Sequence, residues 1–220
     1  MSSTGRRYVG ERIEVTYDAR RCIHAAECVR RVPAVFDPAR RPWILPDAAD
    51  PDAVAAAVAA CPSGALHFVR RDGGSAEAEP ERNTIAPRPN GPLYLRGRLH
   101  LRASDGSPLS DDTRMALCRC GQSANKPFCD NSHRAAGFAD PGAVADGGAP
   151  AEAHGDLTIT ARQNGPLIVQ GLCTIQGAGG QGDCHADGAT LCRCGGSGSK
   201  PFCDGTHRKN GFRSEGGADE

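Results

Sequence analysis

The chain of 220 residues carries 26 basic and 26 acidic side chains, so no net field draws it to nucleic acid or to an acidic membrane surface. No apolar run approaches the ~18 residues of a membrane span, and the opening MSSTGRRYVGER lacks the apolar core of a secretory signal; a soluble, cytoplasmic, bacterial protein that binds neither membrane nor nucleic acid is expected. Twenty-eight glycines, sixteen prolines and only 5% aromatic residues leave little large apolar surface to bury, and eleven cysteines in a reducing compartment read as metal ligands before disulfides.

Residues 8–70 form the first unit. Cys22, Cys28 and Cys61-Pro62 follow the ferredoxin spacing C-x2-C-x2-C with a remote C-P, except that Ala25 stands at the second position. One ligand of the ordinary four is therefore missing. Three Cys suit a [3Fe–4S] cluster, or a [4Fe–4S] cluster whose fourth iron takes another ligand. His24 is the adjacent candidate; its other reading is a surface histidine beside the loop. Between Cys28 and Cys61 a helix is predicted, with Asp50 as cap, Pro51 in the first turn, and Val54, Val58 and Cys61 along one face. The segments CIHAAECVRRVPAVFD, PWILPDAADPD and CPSGAL resemble the divergent single-cluster [4Fe–4S] ferredoxin-like family over most of residues 12–68. A helical domain with three core cysteines is the competing reading.

A linker is expected over 71–82, rich in Gly, Ala and acid, and a second over 139–155. They separate units 83–138 and 156–212, and residues 213–220 form a tail. These two units repeat each other at a shift of 74 residues without a gap. Over Leu117–Phe138, fifteen of 22 positions are identical to Leu191–Phe212. Each copy opens with strand-like alternation. Leu93, Leu95, Leu99 and Leu101 share one face against Tyr94, Arg96, Arg98 and His100; Leu167, Val169, Cys173 and Ile175 are the inward set of the second copy. One repeat is near the size at which a core alone is marginal, so a bound group would supply stability.

The β segments lead into CRCGQSANKPFCDNSH and CRCGGSGSKPFCDGTH, both C-x-C-x8-C-x3-H. The candidate ligands are Cys118, Cys120, Cys129 and His133 in one copy, and Cys192, Cys194, Cys203 and His207 in the other. The last two of each set lie four apart, which on a helical turn places them on one face, with Asp130 and Asp204 positioned as caps. Cys3His is also a structural zinc set, but zinc knuckles use a wider C-x2–4-C, and iron–sulfur is preferred on that spacing. Both segments resemble the CDGSH iron–sulfur domain of the mitoNEET family. The second copy fits throughout; the first has Asn131 where Gly is usual, and Asn is the residue that best tolerates a left-handed backbone. The resemblance implies one [2Fe–2S] cluster per copy, three Cys ligands, one exposed His on the outer iron, and a pseudo-twofold pair of sites within the chain, for which a monomer suffices.

The expected fold is α+β: a small ferredoxin-like N-terminal domain, then two tandem β-rich CDGSH units forming that pair. The expected cofactors are two [2Fe–2S] clusters and one [3Fe–4S] or [4Fe–4S] cluster. Cys173 and Cys184 align with Leu99 and Ser110 and are not needed by the repeat; Cys173 is read as a core residue and Cys184 as a free thiol. His67, His100 and His154 have no partner in the sequence. No nucleophile–base pair or phosphate loop appears, so no enzyme is expected. A His in place of a fourth Cys makes a cluster one charge less negative, which lifts its potential above the roughly −400 mV of plant-type ferredoxins and exposes it to acid. An electron carrier acting with redox partner proteins follows, with a cluster or iron carrier, or a redox and pH sensor, as the alternative and structural zinc as the outsider.

Overall fold

The computed structural model describes residues 5–149 and 152–217, and the fold is mostly β with few helices. It divides into Met1–Ala78 and Glu79–Glu220.

In the first unit, β1 (Arg6–Val9), β2 (Ile13–Tyr17) and β3 (Leu66–Arg70) form an antiparallel sheet in that order. Two helices, α1 (Glu27–Arg31) and α2 (Pro51–Ala59), lie between β2 and β3 in the chain. α2 starts as its sequence dictates: the Asp50 side chain accepts from the Asp52 N–H, Pro51 occupies the first turn, and Val54, Ala57 and Val58 are buried. These pack with Ile13, Val15, Phe36 and Ile44 into one core. Trp43 stands edge-on to Tyr17 at a centroid distance of 4.7 Å. The segment expected as a linker begins docked, for the Glu77 carboxylate accepts from the Phe68 N–H and meets His67 Nδ1.

In the second unit, β4 (Thr84–Pro87), β5 (Leu93–Arg102) and β6 (Pro108–Leu117) belong to the first repeat, and β7 (Asp156–Ala161), β8 (Leu167–Gln176) and β9 (Asp183–Leu191) to the second. All six form one sheet. Within each repeat the three strands pair antiparallel. Between repeats the first strand of each runs parallel to the second strand of the other: Ile85 faces Ile175, as Ile159 faces Leu101. The leucine face of β5 is buried as the alternation requires, and so is its counterpart on β8. Both faces feed one core, with Leu93, Leu95, Leu99, Leu101 and Met115 beside Leu157, Ile159, Leu167, Val169 and Cys173. A single repeat thus has no complete core of its own.

The described part of 139–155 is a strap rather than a free linker. Val144 is buried in the shared core, and its N–H bonds the Gln181 carbonyl. The start of the tail is docked too, since the Gly216 carbonyl accepts from the Ser104 N–H; its last residues, 218–220, lie outside the described residues.

Candidate metal centres

Each C-x-C segment follows the last strand of its repeat. Cys118 and Cys120 come directly after β6, and their sulfurs lie 3.7 Å apart; Cys192 and Cys194 come after β9, at 3.8 Å. At the other end of the first loop, Cys129 Sγ lies 3.5 Å from His133 Nδ1. A tetrahedral metal with bonds of about 2.3 Å to sulfur and about 2.0–2.1 Å to nitrogen spans an S···S pair of about 3.7 Å and an S···N pair of about 3.6 Å. The first site therefore presents two pairs, each with the bite of one metal. Among the described residues, no three His, Cys, Asp or Glu side chains converge on a single ion.

The closeness of Cys129 and His133 does not come from a shared helix face, and this corrects the expectation from their spacing. The helix α3 (Ser132–Ala135) starts after Cys129, and its counterpart is only a 3-10 turn over Thr206–Arg208. The cap position belongs to Asn131 and Gly205, at φ 73° and 85°, so Asp130 and Asp204 stand one residue outside it. Asn131 adopts the left-handed backbone that glycine has in the other copy. Asp130 still organises the loop: one carboxylate oxygen accepts from the Ser132 N–H and the other from the Ala124 N–H, as Asp204 does from Thr206 and Gly198. The turn aims backbone donors at sulfur, with Asn131 N–H on Cys129 and Gly205 N–H on Cys203.

Burial sets the electrostatics. It pushes the Cys129 and Cys192 thiols up to about 11. In the Cys118–Cys120 pair one thiol donates to the other, which draws Cys118 down to about 6 and holds the proton on Cys120. Buried thiols that resist ionising alone give up their protons when a cation arrives. Burial also lowers the His133 pKa, keeping the imidazole neutral with a lone pair free to bind metal. His133 is itself buried, against the expectation of an exposed His, whereas His207 and Cys203 are half-buried. The two sites differ here: His207 Nδ1 lies 2.8 Å from the Asn164 carbonyl instead of beside Cys203.

The residue inside each C-x-C is Arg119 or Arg193, and both are fully buried. Arg119 donates to the Gly91 and Arg88 carbonyls and lies over the Phe138 ring; Arg193 does the same with Gly165, Arg162 and Phe212. Sequence reasoning missed these arginines, although their recurrence at one offset was the available signal. The two sites also meet, for Cys120 and Cys194 form an antiparallel bridge. Gly121 and Gly195, at φ 80° and 78°, permit it: a Cβ on Gly121 would stand 2.7 Å from the Cys194 carbonyl oxygen, and one on Gly195 2.5 Å from that of Cys120.

In the first unit, Cys22, Cys28 and Cys61 line a cavity of about 900 Å³ together with Tyr17, Ala25 and Trp43. Burial lifts Cys28 to about 11. His24 also lines the cavity, exposed, with Nδ1 4.0 Å from Cys22 Sγ. The loop is strained, since His24 and Ala26 both hold positive φ, at 52° and 61°. Cys173 is a core residue, as expected, and Cys184 packs half-buried against the same core. His67, His100 and His154 each face a carboxylate.

Comparison with known proteins follows the same division. The profile described as a divergent 4Fe-4S mono-cluster matches residues 8–71, and the one described as an iron-binding zinc finger of CDGSH type matches 90–134 and 164–208. The chain is 41% identical over 61 residues to the uncharacterized protein YjdI of Escherichia coli K12, covering 28% of this chain and 80% of that protein, and equally to YjdI of Escherichia coli O157:H7. No solved structure matches significantly.

Proposed function

We propose, from the premise that this chain belongs to the divergent [4Fe–4S] mono-cluster proteins through its first unit and to the CDGSH iron-binding proteins through its repeats, that it is a non-enzymatic one-electron carrier. It binds iron–sulfur groups. The observation that carries the finer reading is the pairwise donor geometry, 3.7 Å for Cys118–Cys120 and 3.5 Å for Cys129–His133. Two metal-sized bites at the two ends of one loop, whose base is closed by the Leu117–Phe128 bridge, suit a [2Fe–2S] group, where zinc would gather four donors around a single ion. A [2Fe–2S] group held there takes up and releases a single electron. The chain would offer three Cys sulfurs and one His nitrogen per site, and amide donors that stabilise negative charge on sulfur. The reciprocal strand exchange and the Cys120–Cys194 bridge support a pseudo-twofold pair.

In the first unit, Cys22, Cys28 and Cys61 would hold a [3Fe–4S] or [4Fe–4S] group, with His24 as the nearest further donor. The second reading, release of iron or of a cluster, is favoured by His207, half-buried and already engaged by the Asn164 carbonyl. Protein purified without oxygen should be red-brown, contain inorganic sulfide, and bleach reversibly on one-electron reduction. Colourless protein with stoichiometric zinc would overturn the proposal; reduction followed by loss of iron would select the second reading.

A further inference from the structure

Two side-chain hydroxyls reach the cysteines of the first unit. Cys61 Sγ lies 3.6 Å from Ser63 Oγ, and Ser63 is buried. Burial, together with a hydrogen bond to Cys22, raises the Tyr17 phenol above its ordinary value, so it keeps its proton to donate. Both side chains line the cavity that holds the three cysteines. The third of these, Cys28, is met by the backbone N–H of Val29 in α1.

The fold fixes both hydroxyls. Tyr17 ends β2 and pairs with Leu66, the first residue of β3. Ser63 stands in the turn that leads from Cys61 into that strand. Arg21 Nη2 donates to the Ser63 carbonyl at 2.9 Å, and His67 Nε2 lies 3.0 Å from the Gly64 carbonyl. Gly64 supplies the positive φ, 66°, of this turn. The Asp18 N–H donates to the Ala65 carbonyl at 2.8 Å, which ties the residue after Tyr17 to the end of the turn.

A thiol bound to iron has lost its proton. In each pair only the hydroxyl can then donate. Adding an electron places more negative charge on the cluster and its sulfurs, so a donor facing sulfur stabilises the reduced form more than the oxidised one. In the CDGSH sites the Asn131 and Gly205 donors are backbone N–H groups, which a side-chain change leaves in place. In the first unit two of the three sulfurs face a removable donor.

We infer that the Ser63 and Tyr17 hydroxyls donate to the Cys61 and Cys22 sulfurs of the bound group and raise its reduction potential. The inference rests on the cluster proposed for this unit. Both side chains act through the ligands rather than on iron, so they are positioning residues.

The test is an EPR-monitored redox titration of the full chain, purified without oxygen. It follows the signal of the first unit, that of oxidised [3Fe–4S] or reduced [4Fe–4S]. Ser63→Ala and Tyr17→Phe should each shift the equilibrium toward the oxidised form by about threefold or more. The hydroxyls serve different sulfurs, so the double variant should reach about tenfold, a fall of ~59 mV for one electron. Ser63→Thr keeps the hydroxyl and should keep the wild-type midpoint. The [2Fe–2S] midpoints, whose ligands lie in the second unit, should stay in place. Tyr17→Phe tests the idea even where Ser63→Ala disturbs the buried turn. First-unit midpoints that ignore both Ser63→Ala and Tyr17→Phe would overturn the inference while leaving the iron–sulfur reading intact. A first unit without iron and sulfide would overturn both.

Discussion

Gly121→Ala should cost the second unit about 2–5 kcal/mol. Gly121 holds φ 80°, and an L side chain in the left-handed region costs about 1–2 kcal/mol. Its new Cβ would also stand 2.7 Å from the backbone oxygen of Cys194 and 3.0 Å from that carbonyl carbon, neither of which can rotate away. Forcing that contact open costs about 1–3 kcal/mol more, as overpacking does elsewhere. Gly106 is the control: it holds φ 88°, and a Cβ there meets nothing within 4 Å, so Gly106→Ala carries the strain without the clash. Urea unfolding of the metal-free chain, followed by far-UV circular dichroism, measures both. The single tryptophan, Trp43, lies in the first unit, so its fluorescence transition should stay in place in either variant. A Gly121→Ala protein within 0.5 kcal/mol of Gly106→Ala would refute the claim that close approach of the two cysteine loops is built on this glycine.

His133→Cys and His207→Cys should each retain a cluster, lower its potential and remove its loss in acid, read from visible absorbance against pH; unchanged potential and unchanged acid loss in both would exclude these histidines as ligands. In the metal-free chain burial holds the His133 pKa below its ordinary value, so the unfolded chain takes the proton first. That contribution to stability is therefore present above about pH 6.5 and is lost as pH falls below it, a slope that His133→Gln should reduce in unfolding measurements at pH 5 and 7. For the first unit, Ala25→Cys adds a thiol to the wall that already carries Cys22, Cys28 and Cys61. If the native group is [3Fe–4S], the oxidised full chain should show its EPR signal and the variant should lose it. If His24 completes a [4Fe–4S] site, His24→Ala should create that signal. Neither signal nor iron in this unit would leave the three cysteines as packing residues.

Much of this chain is legible without coordinates wherever the physics is short-ranged. The spacing of Cys118, Cys120, Cys129 and His133 marks candidate ligands because residues so few positions apart meet through one short loop, and the structure brings them together as two pairs, Cys118 with Cys120 and Cys129 with His133. The alternation over Leu93–Leu101 becomes a buried strand face, and Asp50-Pro51 starts α2, because both depend on neighbours a few residues away. The left-handed turn at Asn131 follows from the same local sterics.

What only the tertiary structure decided involves partners far apart in the chain. Neither repeat announces that its first strand will pair with the second strand of the other, since that choice depends on how two incomplete cores bury each other. The strap through Val144 looks like a linker by composition, yet one apolar side chain finds room in the shared core. The same holds for charge. Arg119 and Arg193 read as surface residues until the fold closes carbonyls and an aromatic ring around each. Asp140 and Ser214 lie 21 residues beyond the arginines they meet, so these contacts become visible only when the chain has returned to close each site.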